Sequence, residues 1–317
     1  MHIDSGWRTD KAHSRKMNVR WKHRVEYAAL RALAAVLCVL PYRAALGLGA
    51  GFAWLAFYGL RFRVREAERR IRSVLGEDLE PRAVRRIAWI SLRNLFFNIV
   101  EILRFPVMTK EWVSTHVDTS GVDFIRARWK GDGGAILAVP HMGNWDLAGV
   151  GAHLMGLPIF FMARRQKNPL TDAYLNRMRG VTGVKTVLTD SGALRRVVRH
   201  LKEGRVFAML PDVRARESSI RVRFLGGDAD LAKGMDAFAR HAGVPIFPAY
   251  ALREGWTRHR WVVLEPVYSE PALDRETDQQ RIMQEVMSLF DEAVRRHPEQ
   301  YFWYNKRWIL DPLQRTE

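Results

Sequence analysis

Cysteine is almost missing from this chain. The single Cys38 among 317 residues rules out an internal disulfide and any cysteine-based zinc or iron–sulfur centre, and nothing suggests an oxidising compartment. Proline is sparse at 13, and no internal period is found, which excludes a linker, a fibrous repeat and a solenoid. No uncharged stretch reaches the roughly 20 residues of a membrane-spanning helix. Acid is scarce beside base: 34 Asp and Glu against 51 Lys and Arg leave a formal net charge of +17. What is present is 48% hydrophobic residues, on a length that suits one large domain or a smaller one joined to a second. Such a chain buries a full core, so disorder as the main state is excluded and the cytoplasm is the default location.

The basic excess calls for an anionic partner, since net charge governs association more than topology. Its placement narrows the choice. Arg8, Lys11, Arg15, Lys16, Arg20, Lys22 and Arg24 lead directly into an apolar region, and Arg61, Arg63, Arg65, Arg69, Arg70 and Arg72 close it. Between the two runs, residues 32–42 and 44–60 carry no charge, with Arg43 between them and Pro41 breaking the pattern. A signal peptide fits poorly, because the apolar region starts late and is followed by arginines. A helical hairpin seated in a bilayer surface fits better, its arginines at phosphate headgroups and Trp54, Phe57 and Tyr58 at the interface. The plainer reading is a buried helix pair with a solvated, charged exit. Within it, Gly47, Gly49 and Gly51 resemble part of a dinucleotide fingerprint, but no strand precedes them and close helix packing accounts for them.

Apolar residues spaced by three and four predict one long helix over residues 81–105. Beyond about residue 110, short β-branched runs at 135–139, 159–162, 185–188, 206–210, 220–224, 246–252 and 261–267 alternate with helical patterns. This alternation predicts an α/β fold, a central mixed sheet covered by helices on both faces, with an N-terminal apolar helical region that associates with membrane. Three parts are expected: a basic tail over residues 1–24, the helical region over 25–110 and the α/β domain over 111–317. Ligands in such sheets sit beyond the carboxyl ends of strands.

There the chain reads Val139-Pro140-His141-Met142-Gly143-Asn144-Trp145-Asp146. On an unbroken helix His141 and Asp146 would lie about 140° apart, so a break is required. Pro140 ends the strand, Gly143-Asn144 permits a turn, and Asn144 then caps a helix. Asp146 can in that case reach back to one imidazole nitrogen and leave the other to accept a proton, the orienter-plus-base half of a triad. No G-x-S-x-G elbow occurs and Cys38 lies in the apolar region, so the nucleophile is expected to be a hydroxyl of the substrate. The plainer reading of His141 is a loop histidine satisfied by hydrogen bonding.

His141-Met142-Gly143-Asn144-Trp145-Asp146 resembles the H-x-x-x-x-D signature of glycerolipid-type acyltransferases, in the form used by bacterial lipid A lauroyl/myristoyl acyltransferases and phosphatidylinositol mannoside acyltransferases. Arg164-Arg165-Gln166-Lys167-Asn168-Pro169, Leu210-Pro211-Asp212, Phe224-Leu225-Gly226, Gly243-Val244-Pro245 and the aromatic stretch from Tyr301 to Trp308 follow in the family's order, over roughly residues 25 to 312. The resemblance implies a membrane-bound enzyme that moves a fatty acyl group from acyl carrier protein or coenzyme A to a hydroxyl of an anionic glycolipid. A lipid A precursor is the first choice of acceptor and the mannoside branch the second. His141 would be the base and Asp146 its stabiliser, with backbone N–H groups around Gly143 and Asn144 receiving the oxyanion. Arg164 would bind phosphate, its plainer role being a surface salt bridge; Asp212 would position Arg164 or the acceptor, or cap a turn. No metal and no cofactor beyond the thioester co-substrate is implied, and the expected place is the inner membrane with the catalytic domain on its cytoplasmic side. Val213-Arg214-Ala215-Arg216, where many members have Gln after Pro-Asp, and the lack of a threonine in Leu231-Ala232-Lys233-Gly234 depart from the pattern.

Two rivals come from other classes. A basic nucleic-acid-binding protein would explain a pI near 10.5, but no such motif is present and the charge flanks an apolar region. A non-catalytic membrane scaffold would keep the fold and not need His141.

Overall fold

The computed structural model describes residues 19–129, 133–163, 166–189, 192–215 and 219–310. The chain begins with four helices: α1 (Trp21–Val39), α2 (Tyr42–Trp54, prolonged by a π-helical turn over Leu55–Gly59), α3 (Val64–Leu75) and α4 (Pro81–Leu103). Pro41 ends α1 and immediately precedes α2, as a residue without an N–H can. Proline again opens α4, where a missing N–H leaves no helical bond unmade. α1 and α2 pack on α4 through a small apolar cluster of Ala34, Leu37, Ala45, Leu46, Phe97, Val100 and Leu103. Of the three glycines in that stretch only Gly49 meets α4 closely, since a Cβ there would lie 3.0 Å from Val100. No single described helix is long and apolar enough to cross a membrane; Tyr42–Gly59 and Val64–Leu75 pass such a test together but are bent by 88°.

The remainder alternates: α5 (Lys110–His116), β1 (Val117–Asp118), α6 (Ser120–Arg128), β2 (Ala135–Ala138), α7 (Trp145–Leu154), β3 (Ile159–Ala163), α8 (Pro169–Val181), β4 (Lys185–Leu188), α9 (Ala193–Lys202), β5 (Val206–Met209), β6 (Ser219–Phe224), β7 (Gly227–Ala232), α10 (Met235–Ala242), β8 (Ile246–Glu254), β9 (Arg258–Val263) and α11 (Arg275–Arg296). Seven strands form one sheet in the order β1-β9-β8-β2-β5-β3-β4. Its centre is parallel, and the antiparallel pairing of β9 with β8 makes it mixed. β2 explains why both faces are covered. Ile136 and Ala138 point into a core shared with α3, α4, α9, α10 and α11, while Ala135, Leu137 and Val139 point into a second core with α5, α6 and α7. A strand apolar on both sides is the signature of a parallel sheet sandwiched by helices.

Two expectations change. Residues 220–224 do not join the main sheet; as β6 they pair antiparallel with β7 in a separate hairpin turned by Leu225-Gly226, both at positive φ. The arginine run after the apolar region is not wholly a solvated face either. Arg70 is buried, donates to the carbonyls of Trp303 (2.8 Å) and Asn305 (2.7 Å), and lies over the Trp308 ring. It fastens the C-terminal aromatic stretch to α3 instead of facing headgroups.

Candidate active site

β2 and β5 are hydrogen-bonded parallel neighbours, with Ala138 beside Met209. Each is followed within three residues by a proline and then a polar side chain, Pro140-His141 and Pro211-Asp212. Parallel pairing brings the two exits to the same edge of the sheet, and so His141 and Asp212 meet there. One Asp212 oxygen accepts from the His141 backbone N–H at 2.9 Å, and the other bonds the ring Nδ1 at 2.8 Å. The Asp212 side chain is 0% exposed. The Tyr301 hydroxyl donates to it at 3.4 Å. Burial and the neighbouring carboxylate push the Tyr301 phenol well up, so it remains a donor.

The acid that bonds the His141 ring is thus Asp212, where the sequence offered Asp146. Asp146 sits in the first turn of α7 and lines the same cleft as His141, acting on the ring through its charge. Burial disfavours the imidazolium, but the Asp212 charge and hydrogen bond, with Asp146 adding, outweigh it and raise the His141 pKa above its ordinary value. With Nδ1 engaged, Nε2 is the ring nitrogen left for chemistry.

Gly143 and Asn144 hold the turn. Gly143 has φ +60°, and a Cβ there would stand 2.1 Å from the Ala251 carbonyl oxygen. Its N–H donates to the Gln300 carbonyl at 2.9 Å, so this amide is not free for an oxyanion as the sequence suggested. Asn144 caps α7 as expected, accepting from the Leu147 N–H at 2.9 Å, but it is buried and its amide nitrogen donates to Glu101. Both residues shape the loop, and neither is among the residues that line the cleft in front of His141. Arg164 lies outside the described residues.

Two features were not anticipated from sequence. The C-terminal aromatic stretch forms the rear of the site: Met142 pairs with Tyr301, and the Phe302 N–H donates to the His141 carbonyl at 2.9 Å. In the sequence this stretch figured as part of the family resemblance, with nothing to place it beside His141. Second, a buried charge cluster lies behind the loop. Glu101 of α4 takes two bonds from Arg253 of β8, at 2.7 and 2.6 Å, both side chains 0% exposed, with His259 at 3.2 Å. Burial would raise the Glu101 pKa, yet Arg253 and His259 hold it well below the usual carboxylate range. No local sequence signal pairs residues 152 apart.

In front of His141 opens a cleft of about 1220 Å³, counting its open mouth. Its lining is mixed: Phe161, Met162, Leu175, Phe207, Met209 and Val213 are apolar, and Asp146, Gln166, Asp172 and Asn176 are polar. Among the described residues no group of three or more His, Cys, Asp or Glu is placed to hold a metal ion.

An imidazole held by a buried carboxylate thus stands at the carboxyl edge of a parallel sheet and opens on a cleft of mixed lining, the place where ligands of such α/β sheets sit. Residues 13–309 match the family model described as bacterial lipid A biosynthesis acyltransferase, and the chain belongs to that family. Among curated proteins it is similar to the phosphatidylinositol mannoside acyltransferases of Mycolicibacterium smegmatis (25% identical over 67% of this chain and 68% of the relative) and Mycobacterium tuberculosis (26%, over 67% and 66%). It is also similar to the lipid A biosynthesis acyltransferase of Haemophilus influenzae (24%, over 66% of this chain and 64% of the relative). The matched stretch thus spans about two thirds of each relative. The protein is a lipid acyltransferase by family.

Proposed function

We propose that this protein transfers a fatty acyl group from an acyl thioester, carried by acyl carrier protein or coenzyme A, to a hydroxyl of a glycolipid. The carrying observation is the His141–Asp212 pair at the mouth of the cleft. Nε2 takes the proton of the acceptor hydroxyl as its oxygen attacks the thioester carbonyl. The tetrahedral adduct collapses, the C–S bond breaks, and the departing thiolate recovers the proton from the imidazolium. Asp212 fixes the tautomer and stabilises the imidazolium, with Asp146 contributing charge. The apolar lining residues suit the acyl chain; Asp172, Asn176 and Gln166 suit the hydroxyls of a sugar headgroup. A lipid A precursor and a phosphatidylinositol mannoside both meet that description, and both types of acceptor occur in the names of the relatives.

The same reading puts the enzyme on the cytoplasmic face of the inner membrane. Its support is the exposed surface from α1 to the start of α3, where Trp21 (77% exposed), Val25, Val36, Val39 (86%), Phe52, Trp54 and Leu60 stand in solvent, as do Arg24, Arg43, Arg61 and Arg65. Exposed large apolar side chains interspersed with arginines along this segment match a bilayer surface better than a polyanion.

The test is mass spectrometry of total lipids from cells with the wild-type chain, with His141→Ala and with none. An acceptor one acyl chain lighter is expected in both deficient strains. Equal lipid profiles in the wild-type and His141→Ala strains, with the variant folded, would refute the reading.

A further inference from the structure

We propose that Glu101 and Arg253 are positioning residues for the His141 loop, and that Tyr42 makes their geometry depend on how the α1–α2 pair is seated; for turnover, this rests on the catalytic reading of His141. The loop over residues 141–144 is held from behind at successive points. Asn98 donates to the Gly143 carbonyl at 2.6 Å, and Arg253 donates to Asn98 at 2.9 Å. Asn144, the cap of α7, donates to Glu101. Gln300, whose carbonyl receives the Gly143 N–H, is clasped to the Arg253 backbone in both directions, at 3.1 and 3.2 Å. The Glu101–Arg253 pair therefore touches every one of these restraints directly or through one residue.

The pair also receives a bond from the opposite side. The Tyr42 hydroxyl at the start of α2 donates to Glu101. Arg104, one turn further along α4, donates to the α1 carbonyl of Leu37 and to that of Leu40. One carboxylate thus grips the helical pair with one oxygen and the cap of the catalytic helix with the other. A buried ion pair contributes little net stability compared with apolar residues of the same shape, and its best attested use is to fix one arrangement against alternatives. Here the arrangement fixed is the register between an exposed apolar surface and a catalytic loop.

Tyr42→Phe is the clean perturbation. It keeps the ring against Trp112 and His116 and removes only the O–H. Tyr304→Phe is the control, since that hydroxyl donates to the buried Ala88 carbonyl at 2.9 Å and touches none of the loop restraints, whereas the Tyr42 hydroxyl meets Glu101 and, at 3.5 Å, His259. Amide exchange followed by mass spectrometry on the full chain should show faster exchange over residues 141–148 in Tyr42→Phe and unchanged exchange there in Tyr304→Phe. In turnover, Tyr42→Phe should lower kcat about ten- to a hundredfold, as a small misplacement of the base would, with KM and the pH of half-maximal rate unmoved. Wild-type exchange over 141–148 in Tyr42→Phe, or the same acceleration in both variants, overturns the proposal. Because exchange needs no substrate, it decides the matter even if the wild-type protein transfers no acyl group, which would instead refute the function.

Discussion

Replacing Asp212 by Asn should disable the enzyme in a way that its pH profile reveals. Two bonds set the outcome. The His141 backbone N–H points at one Asp212 oxygen (2.9 Å) and the ring Nδ1 at the other (2.8 Å). An asparagine must turn its carbonyl oxygen to the N–H, which places its NH2 against Nδ1. That nitrogen then has to accept, and the single ring proton moves to Nε2, where the base needs a lone pair. The equivalent exchange in a serine-protease triad leaves the histidine in the wrong tautomer and loses about 10⁴ in kcat. A comparable loss is expected here, about 10³ to 10⁴, or about 4–5.5 kcal/mol of transition-state stabilisation. The pH dependence supplies the independent check. The reactive form is neutral imidazole, so the rate rises with pH through the His141 pKa, and the wild-type rise lies above the ordinary histidine value because Asp212 raises it. Without that carboxylate, burial is opposed only by Asp146, and the residual activity should rise at lower pH than the wild type. The assay is kcat/KM for acyl transfer between pH 5 and 9, with folding checked by circular dichroism. A loss under tenfold, or a rise at unchanged or higher pH, refutes the assignment of Asp212.

Linkage gives the matching effect on stability. A His141 pKa raised on folding stabilises the protein fully below the unfolded value near 6.5, and this is lost as pH rises through the folded value; Asp212→Asn should flatten that part of the denaturation-midpoint profile. Gly143→Ala adds a Cβ 2.1 Å from a carbonyl oxygen at φ +60°, and should destabilise by more than about 3 kcal/mol in urea titrations; a wild-type midpoint would show that the loop relaxes freely. Leu175→Trp adds bulk to an apolar lining residue of the cleft and should shift preference towards shorter acyl chains in a competition among thioesters of different length; an unchanged preference would put the chain elsewhere.

The sequence carried the local features well and the long-range ones poorly, for a physical reason that particular residues make plain. Pro140 with Gly143-Asn144 specifies a strand stop, a tight turn and a helix cap whatever the surroundings, and all three are present. The apolar runs on both faces of β2, β5 and β8 likewise announce a covered parallel sheet. β7, reading Gly-Asp-Ala-Asp-Leu-Ala, lacks β-branched residues and becomes a strand only because β6 lies beside it. The partner of His141 failed for the same reason. Asp146 is five positions away and helical geometry can be reasoned about; Asp212 is 71 away and depends on which strands are neighbours.

A signal for Asp212 was nonetheless present. Two apolar strands each ended in proline followed by a polar residue, and in a parallel sheet adjacent strands deliver such endings to one edge. Strand adjacency is the missing variable, and β2 beside β5 supplies it. The two acids near the ring also differ in placement. Asp212, sealed behind the ring, keeps its geometry as the imidazole gains and loses charge. Asp146, on the helix that walls the open cleft, adds charge without occupying Nδ1. In the proposed reaction, a base that passes its proton on to a leaving thiolate would benefit from this division, because the acid holding the ring stays buried while the ring itself faces the cleft.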